Sequence, residues 1–445
     1  FFKNSSVSSW FSNLKLRASY GMMGDDNLGG LYPDFAYLSG YTYYKGQSLM
    51  PDDPFSSVKS KKVIGSAPKG IPVTTISWMK IKLMNVGIDF GFFDNRLTGE
   101  FDLFKRMRDG IPGTPSDIMF PLETGLSALP ENMNSDMTVG FDAFVKWNDK
   151  VGDLKYSVGA NITFARQKNG KRHGEIFGNA WDKYRWAQSN RWSNVVLNTD
   201  QGNAGGVWMW EVIGRFETQE QIDSYPVDQD GQNNATVRPG DVILRDVNGD
   251  GIINDFDERP QAYASADWPW DSSTSNKNPL ISMGINLGFE WKGFDVAADF
   301  AGGFKNTFVA DWDLKWGVTR SVNGYYYNNI DVWRHEDIFD PKSPWIPGKF
   351  PALRGQESHS GRWWNSFYTR EVNYLRLRNL VVGYSLPKNW IRKVGMEQCR
   401  IYFQGTNLFC LSSLHDYGFD PEISTVNGQD YPQHKVLTLG VNVKF

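Results

Sequence analysis

Residues 436–445 alternate with a period of two. Leu437, Leu439, Val441, Val443 and Phe445 are apolar, whereas Thr438, Gly440, Asn442 and Lys444 are small or polar. Successive side chains on a β-strand point to opposite faces of its sheet, so such a run has one oily side and one wet side. Its length is that of a tilted strand crossing a bilayer, about 9–11 residues. One such strand fits any half-buried sheet. The constraint comes from recurrence of the pattern along the chain.

Four hairpin-like units repeat it. In the first, Met84–Phe93 and Arg96–Lys105 flank Asp94-Asn95, with Val86, Ile88, Phe90, Phe101 and Leu103 on one face and Asn85, Asp89, Glu100 and Asp102 on the other. The second pairs Val139–Trp147 with Leu154–Phe164 across the polar turn Asn148–Asp153. The third alternates from Ile281 to Trp291, turns at Lys292-Gly293, and alternates again through Phe294, Val296, Ala298 and Phe300. The fourth links Tyr374–Leu386 to Arg400–Phe409, and its phase slips at Arg378-Asn379, which predicts a β-bulge or a strand rising out of the bilayer. Leu14–Met23 reads as a further strand.

Long segments rich in Gly, Asn, Asp, Ser and Trp separate these units, at 165–206, 217–279 and 305–372. Loops of that size are uncommon in a compact soluble domain. Short turns on one rim and long extracellular loops on the other are expected of an outer-membrane barrel. The fold class read from the sequence is therefore all-β, a transmembrane antiparallel β-barrel. A soluble sandwich, propeller or lectin would alternate too, so periodicity alone leaves that rival standing.

Composition narrows function more than fold. A net charge of -3 and a pI near 6.0 give no basic surface for nucleic acid. Mean hydropathy is -0.47, and no apolar run approaches a helical membrane span, which leaves a barrel open because half of each strand faces water. Cys399 and Cys410 flank a predicted strand that would hold them roughly 35 Å apart, too far for a disulfide. The five histidines (His173, His335, His359, His415 and His434) have no metal-protease spacing, and no nucleophile elbow, phosphate loop or Cys-x-x-Cys occurs. Enzyme activity is not expected.

Asp246-Val247-Asn248-Gly249-Asp250-Gly251-Ile252, closing at Asp257, has the spacing of a calcium loop. Oxygen donors from Asp246, Asn248 and Asp250 would occupy positions 1, 3 and 5, Gly251 would permit the turn, the Ile252 carbonyl would add a ligand, and Asp257 would close the shell. Asp257 departs from the longer Glu of a full EF-hand. Calcium here would stiffen a loop. The same residues also favour metal-free turns.

Tryptophans crowd the loops: Trp181, Trp186, Trp192, Trp208, Trp210, Trp268, Trp270, Trp363 and Trp364. Their flat rings suit stacking on sugars or gripping peptide side chains, and they equally suit interfacial girdles and loop packing. Asp89, Glu100, Asp102, Asp142, Asp295 and Asp299 are expected on the wet face, where they would give a lumen a negative bias.

The C-terminal third resembles the SusC/RagA family of TonB-dependent outer-membrane transporters. The resemblance rests on Tyr374-Leu375-Arg376-Leu377-Arg378-Asn379-Leu380, Gly383-Tyr384-Ser385-Leu386-Pro387, Arg400-Ile401-Tyr402, Asn407-Leu408-Phe409 and Asp420-Pro421-Glu422 before the closing strand. Upstream, Leu14–Gly21, Gly87-Ile88-Asp89-Phe90 with Arg96-Leu97, and Pro239-Gly240-Asp241 with Asp246–Gly251 resemble the family's earlier barrel segments in the same order. The resemblance implies a barrel of roughly 22 strands, of which this chain has room for about 12–14. Residues 1–445 would then be its C-terminal portion, since the chain opens Phe1-Phe2-Lys3 and has no counterpart of the family's signal peptide, TonB box or plug. It further implies import of oligosaccharides or, second, peptides, energised by the TonB complex through the N-terminal part. The implied partners are a SusD-like surface lipoprotein, outer-membrane lipid and the glycan or peptide ligand, with a dimer of barrel–lid pairs as the assembly. The implied location is the outer membrane of a Gram-negative bacterium. A surface carbohydrate-binding β protein, or a structural or secretion barrel with no ligand of its own, are the rival functions.

Overall fold

A computed structural model describes residues 11–26, 38–45, 64–68, 71–74, 76–115, 118, 120–121, 128–171, 180–181, 183–184, 207–262, 279–309, 331–352, 365–415, 419–422, 431 and 433–445. Ten antiparallel strands form one sheet: β1 (Phe11–Asp25), β2 (Met79–Phe92), β3 (Leu97–Gly113), β4 (Glu131–Val151), β5 (Leu154–Asn169), β6 (Ile281–Trp291), β7 (Phe294–Val309), β8 (Thr369–Ser385), β9 (Gln398–Ser412) and β10 (Val436–Lys444). They pair in chain order, so this is a meander with β1 and β10 at its two edges. Ten wall strands lie among the described residues, against about 12–14 expected. The long connections absorb the difference, since neighbours β5 and β6 are joined by all of 170–280.

Tight turns close one rim. Phe93, Asp94 and Asn95 take positive φ between β2 and β3, and Lys292 and Gly293 do so between β6 and β7. The second hairpin differs from its sequence reading. Asn148, Asp149 and Lys150 are paired strand residues opposite Ser157, Tyr156 and Lys155, and the ladder runs to Val151 opposite Leu154. Gly152, with φ +61°, lets a two-residue turn close the hairpin, so the polar residues before it need not serve as a loop. The wall likewise extends into expected loops: 165–169 belong to β5, 305–309 to β7 and 369–372 to β8. The slip at Arg378-Asn379 is a β-bulge between Leu377 and Asn379 in the β8–β9 ladder.

Register aligns the oily faces into unbroken rows. Reading from β1, one row is Leu14, Phe90, Gly99, Val145, Ala160, Ile285, Phe300, Leu377 and Phe409. A parallel row runs Leu16, Ile88, Phe101, Ala143, Ile162, Met283, Gly302, Leu375 and Leu411. These side chains have no second layer over them. Leu16 is 78% exposed and Leu439 77% exposed, and Val86, Leu103, Leu437 and Val441 are also open. An apolar face spanning ten strands far exceeds the patch a soluble monomer leaves bare. Aromatics collect at the tight-turn rim, with Phe11, Phe92, Phe93 and Trp147 in ring contact and Phe294 against Tyr384. Such a girdle matches a membrane–water interface. No helix among the described residues is long and apolar enough to cross a membrane, which says nothing against spanning strands.

The opposite face is wet and ion-paired. Arg17 reaches Asp89 (2.6 Å) and Asp102 (2.8 Å), Asn286 donates to Asp299 (2.7 Å), and Arg400 pairs with Asp295. The negative bias expected from the carboxylates is therefore offset by cations on neighbouring strands. Wet-face positions on adjacent strands lie side by side, so opposite charges within reach pair off. Cys399 and Cys410 both sit on β9 as free thiols.

Candidate functional site

The buried core lies at the long-loop rim. Phe308 at the end of β7, Val372 at the start of β8 and Leu414 just past β9 pack with Val332, Phe350 and Tyr368. Two further clusters adjoin it: Trp210, Val242, Leu244 and Ile253, and Phe216, Ile222, Val237 and Ile243. Residues 207–262, 331–352 and 365–372 thus form one platform standing on the wall.

Polar contacts lock the pieces together. Trp210 bridges Asn365, Ser366 donates its amide to the Trp210 carbonyl (3.0 Å), and Val212 donates to Ser366 Oγ (2.9 Å). Arg215 donates to the Gly348 carbonyl (2.8 Å) and lies 4.8 Å over the Phe367 ring. Gly240 has φ +91°, and a Cβ there would meet Trp333 Cγ at 2.3 Å. The Pro239-Gly240-Asp241 motif therefore has a packing cause: only glycine allows both that backbone and that contact.

Asp230 organises the turn before the strand Val242–Leu244. Its carboxylate accepts from the amides of Gln232 (2.8 Å), Asn234 (2.9 Å) and Thr236 (2.7 Å), and from Thr236 Oγ1 (2.7 Å). Burial pushes this carboxyl up, but the Thr236 hydroxyl and amide and the Gln232 amide outweigh it and hold it down at about 2.

The Asp246–Asp257 loop brings three carboxylates together. Carboxylate oxygens of Asp246, Asp250 and Asp257 lie within 4.8 Å of one another. Asp246 accepts from Gly249 (2.6 Å) and Gly251 (2.9 Å), both glycines having positive φ. Fully buried Asp257 accepts from Val247 (2.9 Å) and Asn254 (2.9 Å), tying the loop's end to its start. The amide of Asp250 donates to Asn248 Oδ1 (3.1 Å). Hydrogen bonds from the Ile252 amide and then the Asn248 side chain hold the Asp250 carboxyl below its ordinary value. Ile252 bridges Asp228, anchoring the loop in the platform. An all-oxygen donor set on a glycine-turned loop suits a hard cation, and each Asp246 carboxylate oxygen, accepting a single amide, retains a lone pair for it.

The tryptophans divide. Trp210 is only 5% exposed and its Nε1 donates to the Asn254 carbonyl (2.8 Å). It leaves the ligand-stacking set, because packing against Val242, Leu244 and Ile253 leaves no open ring face. Trp181 stacks on Tyr184 (5.3 Å), meets Phe256 edge-on (5.4 Å) and has Arg259 over its ring (5.5 Å). Tyr184 and Phe256 are exposed and were missed in the sequence, where neither has a pattern to mark it. Trp208 lies in the short strand Val207–Met209. Trp186, Trp192, Trp268, Trp270, Trp363 and Trp364 fall outside the described residues.

No protein-family model matches the chain. It is 23% identical over 446 residues to the TonB-dependent receptor SusC of Bacteroides thetaiotaomicron, covering 98% of this chain and 38% of that protein. It is 22% identical to the TonB-dependent receptor P39 of Formosa agariphila, over 97% of this chain and 40% of that one. The chain thus spans about two fifths of the length of the curated relatives it matches. Among solved structures, the RagAB peptide transporter superposes with a TM-score of 0.63 at 20% identity, over 98% of this chain and 41% of that chain. Over nearly its whole length the chain is thus similar in sequence to TonB-dependent receptors of the SusC kind and in fold to part of the RagAB peptide transporter.

Proposed function

We propose that the chain forms part of the barrel wall and outer platform of an outer-membrane importer of oligosaccharides, driven by TonB and closed from outside by a SusD-like surface lipoprotein. The observation that carries this reading is the pairing of a bare apolar face with a charged inner face beneath a folded long-loop platform. A binding protein needs the platform alone, and a passive structural barrel needs only the wall. Peptide import is the second reading, and the shared fold with a peptide transporter favours it. Aromatic stacking and hydrogen bonds in the loops would hold the cargo, and movement of a plug would open the path. The work is transport, and no catalytic step is assigned to the chain.

The test is deletion of the full-length gene. Growth should fail on one glycan or one peptide source and be normal on the free monomers. The purified protein should shift in gel mobility on heating, co-purify with a surface lipoprotein, and assemble as a dimer of barrel–lid pairs. Undiminished growth on every polymer tried, with no lipoprotein retained, would refute the reading.

Calcium in the Asp246–Asp257 loop belongs to the same proposal, as a stiffener of the platform. At about 100 times its Kd, a cation bound only by the folded loop stabilises it by about 2.7 kcal/mol. Chelation should therefore speed limited proteolysis within 207–262 by up to roughly 100-fold, and added calcium should restore protection. Asp246→Asn with Asp257→Asn should abolish the response. Equal cleavage with chelator and with calcium would show a metal-free turn.

A further inference from the structure

The oily face of the wall changes character abruptly toward the long-loop rim. Four register rows across β2 to β5, from Phe92–Leu97–Trp147–Val158 to Val86–Leu103–Phe141–Phe164, carry no charged side chain. The next row reads Tyr20, Met84, Lys105, Val139 and Arg166. Beyond it lie Met22, Lys82, Met107 and Met137, with Lys168 at the adjoining position, and then Gly24, Lys80, Asp109 and Ser135. Lys80, Lys82, Lys105 and Arg166 thus share these rows with a single carboxylate, Asp109, and Lys82 already holds it (2.6 Å). Nε and Nη2 of Arg166 are closed off from water and have no hydrogen-bond partner. A guanidinium so placed is costly unless an anion meets it.

Height along the wall selects the occupant. Lys105 lies eight residues beyond Leu97 on β3, about 27 Å along a strand at about 3.4 Å per residue. A strand tilted by about 40° climbs about 21 Å over that path, close to the roughly 25 Å apolar band of an outer-membrane barrel. Two aromatic rings mark the same boundary. A Cβ on Gly24 would lie 2.8 Å from Trp78 Cε3, so the indole rests on this outward face. Trp78 is 69% exposed and Tyr20 64%. Such rings favour headgroup depth. Snorkelling accounts for single lysines at a membrane boundary, but it would spread them around the wall. Here the excess is gathered on β2, β3 and β5, whereas at the same rim of β7 and β8 Lys305 is met by Glu371 (2.8 Å). The occupant must continue the oily rows with apolar chains and bring negative charge to the level of Lys105 and Arg166. A phosphorylated lipid does both, and a second copy of this face would set cation against cation.

We propose that Lys105 and Arg166 hold the phosphate of an outer-leaflet lipid whose acyl chains lie along the uncharged rows. The site rests on the reading of this wall as lipid-facing. The two residues flank Val139, about 10 Å apart across two strand spacings of about 4.8 Å. Their long side chains close that gap on one phosphate, with Arg166 taking two of its oxygens at once. Lys80 and Lys82 extend the positive field toward the rim, and Trp78 and Tyr20 border the headgroup.

The test uses the full-length receptor, purified in detergent and stripped of bound lipid. It should bind lipid A, a phosphorylated glycolipid, at least about tenfold more tightly than the same lipid after its phosphates are removed. Lys105→Gln with Arg166→Gln should erase that preference, whereas Lys155→Gln with Lys292→Gln at the tight-turn rim should keep it. Where the first pair of substitutions prevents assembly, the wild-type comparison of the two lipids decides. Equal binding of the two lipids would overturn the site. So would an undiminished preference in an assembled variant lacking both cations, or inorganic phosphate bound as tightly as the lipid. A receptor that stays in solution without detergent and shows no heat-modifiable mobility would instead refute the membrane wall, and the site with it.

Discussion

Arg376→Met should destabilise the long-loop end of the wall by about 3–5 kcal/mol, because it strands carboxylates away from water. Arg376 is 4% exposed, with Nη2 2.5 Å from Asp420 and Nε 2.9 Å from Glu422, whose own side chains are largely buried. Arg378 also pairs with Glu422 and donates to Gln433 (3.2 Å), which in turn donates to Glu422 (3.1 Å). The network therefore ties residues beyond β9 to the inner face of β8. Losing one cation should release that tie, seen as a lower denaturation midpoint and faster cleavage between 413 and 435. Arg376→Met with Asp420→Asn and Glu422→Gln should recover most of the loss, since removing all the charges removes the penalty of an unpaired one. A triple variant as unstable as the single would show that packing, and not charge, holds the segment.

Ile285→Arg should cost about 2–4 kcal/mol in a bilayer, while its neighbour Asn286→Arg should cost less than about 1 kcal/mol. The two are adjacent in β6 and face opposite ways. Ile285 lies between Ala160 and Phe300 in an oily row, and Asn286 lies between Gly159 and Asp299 on the wet face. Arginine at 286 would meet the Asp299 carboxylate, whereas at 285 it would meet hydrocarbon. Unfolding of the full-length protein in lipid vesicles reads the difference. Equal costs at the two sites would contradict the assignment of faces, and with it the membrane barrel.

The wall was legible because its signal is local. Ile281–Trp291 and the Lys292-Gly293 turn can be read by eye, and the register pairs Trp291 with Phe294 as alternation requires. The bulge at Arg378-Asn379 was visible for the same reason, since one extra residue reverses the phase of everything after it. The calcium-like loop was readable because its donors fall within a dozen consecutive positions. The turn at 148–153 misled because polar residues suit a loop and a wet strand face equally, and only Gly152 marks the true corner.

Alternation, turn glycines and donor spacing thus marked, from sequence alone, a β wall with one oily and one wet face and an oxygen-rich loop. The platform came only from the folded chain. Trp210 became core and not ligand surface because Asn365, over 150 residues away along the chain, closes on it. Arg17 neutralises Asp102 across two strands, and Gly240 meets Trp333, for the same reason. Periodicity encodes which way a side chain points relative to its own strand. What it meets is set by distant segments brought together by burial, and no local pattern carries that information.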